Sequence, residues 1–272
     1  MSEHVQSFGS VFLAETRRVV LKPKRLIIAG IFAVVSILVF MGATAVLDWG
    51  AATAANTEGM EEAASVIPTF LGYDLPLSFL SFCFGIYAAS FAARDYNDGV
   101  ILSTLLRVPN RLRLFLARLL PWVAFSFVFS LVAFMVIAVL SIGRVDSGQI
   151  VFVCLEGLLA AVGVMFTTIL GFCCGSLTKK GSLSVILFLG LFFIIPAVLS
   201  MVGGFGPEIV QKIVEYVDKV MPGSAFGALP QLAPVTGTIE TNTLIELAIS
   251  FVWVIGVSTL SYILFKKRGT LK

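Results

Sequence analysis

The chain has 272 residues, 58% of them hydrophobic and only 13% charged, with a mean hydropathy of +1.01 and a formal net charge of +3. Soluble domains carry about 25% charged residues, and none could hide several apolar runs of about 20 residues, each long enough to cross a hydrocarbon core about 30 Å thick. The cations lie in short segments between those runs, which is the pattern of membrane topology and argues against a nucleic-acid surface.

Residues 5–21 predict an amphipathic helix, with Val5, Phe8, Val11, Phe12, Leu13 and Val19 as apolar contacts and Glu15, Arg17 and Arg18 as the polar face. Lys22, Pro23, Lys24 and Arg25 end it. Residues 1–25 are expected to lie in the cytoplasmic interface with their cations near anionic headgroups; a plain solvated helix is the alternative. This segment is too polar for the apolar core of a cleavable signal, so the first apolar run is expected to stay as an anchor.

Six spans are predicted at about 26–47, 75–93, 119–142, 149–177, 183–202 and 244–265. Pro76 is expected in the first turn of the second span, where its missing N–H costs nothing. Pro121 and Trp122 should stand at the entrance of the third, and Pro196 should kink the outer half of the fifth. Placing the N-terminus, the 94–118 loop, the 178–182 loop and the C-terminus on one side gathers 16 of the 19 Lys and Arg there. Only Arg144, Lys212 and Lys219 remain opposite. That bias predicts a multi-pass protein of the cell membrane with both termini in the cytoplasm.

The segment 203–243 has its own pattern. Ile209, Val210, Ile213, Val214, Val217 and Val220 make a helical stripe, with Glu208, Lys212, Glu215, Asp218 and Lys219 largely opposite. The apolar, Gly/Pro-rich MPGSAFGALPQLAP follows. Irregular backbone near a membrane must be buried in protein or line a watery cavity, so a short outer helix and a re-entrant or surface cap are expected. With no internal repeat and no soluble stretch, the chain reads as one membrane domain.

Intramembrane charges cost about 2.5–3.5 kcal/mol at mid-span, and only Glu156 is a candidate, about two turns inside the fourth span. It reads either as a contact for a cationic or polar group in a translocation path, or as a carboxylate snorkelling outward or pairing with Arg144. Asp74 is expected to cap the second span, and Glu246 to be interfacial. Gly171 and Gly175 in GFCCG form a small-xxx-small face for close helix approach, with Cys173 and Cys174 as small packing residues. No metal-site spacing and no His/Asp/Glu constellation lies within the spans, so no catalytic residue and no metal ligand is assigned. The 24 phenylalanines favour a hydrophobic or amphipathic cargo.

The longest polar interruption between apolar runs is 94–118, RDYNDGVILSTLLRVPNRLRLFLAR. Asn97 or Asp98 can cap a helix; Val100, Ile101, Leu105 and Val108 repeat near helical spacing; Pro109-Asn110 ends it. A second helix should start at Arg111 and run into the third span, with Leu112, Phe115, Leu116 and Leu119 on one stripe and Arg111, Arg113 and Arg118 facing headgroups or cytosol. A short helix, a proline turn and a continuous entry into a span make a stiff lever.

The cluster Arg94, Asp95, Asn97 and Asp98, with Gly99, Leu105-Leu106, Pro109, Arg111 and Arg118, resembles the elbow after the second span in permeases of the ATP-binding-cassette (ABC) type-2 exporter family. Asp95 and Asp98 stand where that family often has two glutamates, Val100 where a threonine is usual, and Arg118 where a lysine is usual. The resemblance implies an all-α fold with six spans, an N-terminal interfacial helix, a cytoplasmic coupling elbow and short outer helices between the last two spans. It implies that 95–111 docks on a separate ATP-binding subunit, which holds the ATP and Mg²⁺, while this chain carries no cofactor. It further implies two permease copies, or this one with a related partner, on two such subunits. The chain itself has no GxxxxGK[ST] phosphate loop. A secondary carrier would need midplane charges or inverted repeats, and a membrane enzyme would need polar constellations in the spans. Co-purification with an ATP-binding subunit separates these readings.

Overall fold

A computed structural model describes residues 8–20, 22–54, 70–98, 101, 104, 110–141, 150–205, 207–232 and 241–268. Nearly all of these residues are helical, and no strand occurs among them. The helices are α1 (Phe8–Val20), α2 (Pro23–Ala54), α3 (Phe70–Asn97), α4 (Arg111–Ser141), α5 (Ile150–Thr178), α6 (Gly181–Leu189), α7 (Ile195–Phe205), α8 (Glu208–Val220), α9 (Pro222–Gly227) and α10 (Thr241–Arg268). A π turn, Gly190–Ile194, joins α6 to α7, and a 3-10 turn, Leu229–Leu232, follows α9. Six stretches are long and apolar enough to cross a membrane: Pro23–Ala45, Leu75–Tyr96, Arg111–Ser141, Ile150–Thr178, Gly181–Phe205 and Leu244–Lys267.

α5 is the axis of the bundle. From Phe166 to Ser176 its side chains are buried on every side, as expected of a helix that is apolar or small all round. It packs chiefly against α3 and α4. A Cβ added at Gly171 would collide with the Gly85 carbonyl of α3, and one at Gly175 with the Ala89 carbonyl. The two backbones therefore meet directly, and only glycine fits at these points. Hydroxyls cross-link these helices and their neighbours: Thr167 Oγ1 of α5 donates to Ser81 Oγ of α3 at 3.4 Å, Ser176 of α5 pairs with Ser261 of α10, and Ser184 Oγ of α6 donates to the Ala89 carbonyl of α3 at 3.2 Å. Cys173 and Cys174 are buried in this packing.

The outer-lying helices α2, α6–α7 and α10 bury far less of themselves. Ile27, Ile31, Val34, Leu38 and Met41 of α2 are exposed at helical spacing, a lipid-type surface. α5 and α6 are joined by a two-residue turn: Lys179 takes the left-handed conformation (φ 61°) after the last turn of α5, and Lys180 is extended.

One expectation about element ends is corrected. α3 begins at Phe70, so Pro76 lies inside the helix and Asp74 does not cap it. α4 begins at Arg111, as the Pro109-Asn110 break predicts, which leaves Pro121 inside one continuous helix. In the fifth span a π turn, Gly190–Ile194, lies just before Pro196. Proline lacks the N–H for the preceding turn, and a π turn is one way a helix absorbs such a missing donor.

Candidate functional site

The segments flanking the elbow meet at one end of the bundle, and charge decides how. Asp95, in the last turn of α3, is 3% exposed, and Arg118, two turns into α4, is 5% exposed. Burial of such groups demands partners, and α1 supplies them. Arg18 grips the Asp95 carboxylate with both guanidinium nitrogens, Nη2 to Oδ1 at 2.5 Å and Nη1 to Oδ2 at 3.3 Å. Arg118 sits behind, with Nη1 3.7 Å from Asp95 Oδ2 and Nε 3.4 Å from Glu15 Oε1. Glu15 closes the ring to Arg18 at 3.5 Å. Arg118 Nη2 also reaches the Thr104 hydroxyl in the elbow at 3.5 Å.

Arg25, at the start of α2, completes the cluster. Its guanidinium lies 4.5 Å from the Phe91 ring centre and 5.6 Å from that of Trp122, and it donates to the Arg18 carbonyl at 2.6 Å. Cation–π contacts of this kind hold a charge against an apolar wall. A small cavity, roomy enough for about one water, adjoins the cluster between Asp95, Tyr96, Ile101, Phe115, Arg118 and Ser176.

Two expectations change here. Glu15 and Arg18 turn inward to the bundle and do not form an outward polar face, and Arg118 is buried and does not face headgroups. The reason is mutual: each charge is buried only because the others are. Arg113 and Arg94 are exposed, as is Asp98. Asp95, placed by sequence on the docking face, has its carboxylate held by arginines within the chain. The Arg111 guanidinium donates to the Lys266 carbonyl, tying the start of α4 to the end of α10. Asn110 accepts from the Arg113 N–H at 3.3 Å, an N-cap for α4 that the Asn before an apolar run signals. Ile101 and Thr104 are helical. The side chain of Asn97 and residues Gly99, Leu105, Leu106 and Pro109 lie outside the described residues, as does Arg144.

At the other end, α8, α9 and the 3-10 turn form the cap. Pro222, Ala225, Phe226, Leu229 and Pro230 are buried against α5, α10 and the π turn. The irregular backbone is satisfied from α10: Trp253 Nε1 donates to the Val220 carbonyl at 2.6 Å and Ser250 Oγ to the Ala225 carbonyl at 2.9 Å. Gly223 lies against the Phe192 carbonyl, where a Cβ would stand 2.6 Å away. The α8 stripe divides: Val214 and Val217 are half-buried, whereas Ile209, Ile213, Tyr216 and Val220 are exposed. Outside the spans, Lys219 donates to Glu215 at 2.9 Å, which holds the Glu215 carboxyl below its ordinary value and the Lys219 ammonium above its own.

Glu156 is 4% exposed on α5, beside Gly157, which packs on Phe134 of α4. It faces the chain's own interior and does not snorkel outward.

Six helices long and apolar enough to cross a membrane, one of them a buried axis, define a multi-pass all-helical membrane protein. A family profile for ABC-2 family transporter proteins matches residues 20–197, and the chain belongs to that family. It is thus the membrane permease of an ABC transporter, and such a permease works with an ATPase partner. No curated protein matches the chain.

Proposed function

We propose that this chain is the membrane subunit of an exporter that moves a hydrophobic or amphipathic substrate out of or across the cell membrane, driven by separate ATP-binding subunits. Two permease copies, identical or related, stand on two such subunits, which hold the ATP and Mg²⁺; this chain contributes no cofactor and no catalytic group. Both termini and the elbow face the cytoplasm. The elbow, 94–111, is the docking element, with Arg94, Asn97, Asp98, Gly99, Leu105, Leu106, Pro109 and Arg111 at or near the contact. Asp95 serves it from behind, fixing the end of α3. Glu156 remains the candidate polar contact for cargo on the translocation path.

The observation that carries this reading is the unbroken helix Arg111–Ser141. It starts at the elbow, capped by Asn110, and continues through the bilayer, so a push at its cytosolic end displaces the span without loss in a flexible joint. The basic-rich N-terminal, elbow, 178–182 and C-terminal segments share that end, as the contacts of α1 with α4, of Lys179 with the Tyr96 ring, and of Arg111 with Lys266 support. The test is co-purification of the full chain with the ATP-binding subunit and measurement of ATPase activity in vesicles. Gly99→Trp and Arg111→Glu should each abolish co-purification or uncouple the ATPase. Survival of both would discard the docking assignment.

A further inference from the structure

The amphipathic helix α1 has two faces with different partners. Phe8, Leu13 and Arg17 are exposed. Glu15, Arg18 and Val19 turn toward α3 and α4. A helix held only by the bilayer would direct its charges to headgroups and water. Here two of the three charges of α1, Glu15 and Arg18, are directed to Arg118 and Asp95, the two buried ionic groups that bracket the elbow.

From this geometry we infer that α1 is a moving part of the lever: the Glu15–Arg18–Asp95–Arg118 cluster locks it to the elbow-bearing ends of α3 and α4, so that the three travel as one body. Arg118 is the positioning residue, since from α4 it touches α1, α3 and the elbow. The inference rests on the exporter reading above and adds an element that the elbow's docking role does not require.

The physical argument has three steps. Buried ion clusters add little net stability over well-packed apolar side chains, but removing one member is costly. What they do supply is geometry. A two-pronged guanidinium–carboxylate contact fixes orientation as well as distance, and the Arg18–Asp95 fork is crossed by the Arg118 contacts to Glu15 and Asp95. Sliding α1 along α3, or rotating it, breaks at least one contact in a largely buried site, where electrostatic interactions are stronger than in water. Arg25, seated on Phe91 and Trp122 and bonded to the Arg18 carbonyl, joins the root of the first span to the same body. The exposed face of α1 then rides over the headgroups when the elbow moves, with Phe8 and Leu13 as its apolar contacts.

The experiment uses the full chain with its co-purified ATP-binding subunit in vesicles containing anionic lipid. Ketone-bearing unnatural residues at the exposed positions Leu13, Arg113 and Lys180 carry spin labels, and pulsed electron resonance reads two distances without nucleotide and with ATP plus vanadate. The Leu13–Arg113 distance should stay constant and narrow while the Arg113–Lys180 distance shifts. Glu15→Gln, which keeps the side-chain shape, and Arg118→Met should broaden the Leu13–Arg113 distribution and give it a nucleotide-dependent shift; Arg118→Lys should recover part of the narrowing. A shift of Leu13–Arg113 in the unsubstituted protein overturns the inference, and so does an unchanged distribution in both variants. If Arg113–Lys180 stays fixed while the variants still broaden Leu13–Arg113, the joint stands and the lever reading of the elbow falls.

Discussion

The two ends of the bundle are held by opposite means. At the elbow end side chains of opposite charge from α1, α3 and α4 pair in a largely buried cluster, and Arg25 of α2 lies against Phe91 and Trp122 beside it. At the cap end no such cluster occurs among the described residues. There, indole and hydroxyl donors of α10 satisfy carbonyls of a broken backbone, and Phe226 lies 5.7 Å from Phe166 and 6.2 Å from Phe192, ring centre to ring centre. The difference teaches what each end resists. Ion forks fix orientation and are costly to open, which suits a joint that transmits force. Single neutral hydrogen bonds to a carbonyl are modest, and each can open without leaving a buried charge behind.

That contrast can be broken by substitution, starting where the cost is greatest. Arg118→Met leaves Asp95 and Glu15 buried with too little positive charge, and it should lower the stability of the isolated permease by about 3–5 kcal/mol, read as a fall in the melting temperature in detergent. Next comes the beam between the ends. Gly171→Ala places a methyl group on the Gly85 carbonyl, which is backbone and cannot swing aside, and should cost about 1–3 kcal/mol; the same change at Gly190, which has open space, is the control. Smaller still is the cap. Ser250→Ala and Trp253→Phe each remove one bond to a carbonyl and should cost about 0.6–1.7 kcal/mol, with protease sensitivity rising in the segment after α8 and not at the elbow. Equal losses at the two ends would remove the distinction.

The smallest effect concerns pH at the cap. The Glu215 carboxyl is depressed by Lys219, so its contribution is present above the unfolded value of 4.5 and is lost as pH falls through the lower folded value. The Lys219 ammonium is raised, so its contribution is present below 10.5 and is lost as pH climbs through the higher folded value. Both groups reach solvent, and surface pairs are worth little. Lys219→Ala should therefore leave the melting temperature at neutral pH unchanged within error, while high salt erases whatever difference remains.

Much of the architecture was legible in the chain. The six crossings follow from apolar run length alone, because the bilayer sets one thickness for all of them. The GFCCG face announced close packing, and the Gly/Pro-rich outer stretch announced a buried irregular cap. The start of α4 at Arg111 was readable from Pro109-Asn110. Helix starts at α3 were not, because a proline inside an apolar helix and one at its first turn look alike when neighbouring residues all suit a span.

Part of the candidate site was hidden for a similar reason. Glu15, Arg18 and Arg118 have the local pattern of interfacial charges, and nothing within a helical turn of any of them says otherwise. Whether a charge faces water or a buried partner depends on a residue far away in sequence. The sequence by itself determined that this protein crosses a membrane, how often, and which ends carry positive charge, because those properties depend on composition over one segment at a time. Only the tertiary structure decided that α1 turns its charges inward and that Asp95 is enclosed by arginines. Those are choices between partners, and partners are set by how whole helices meet.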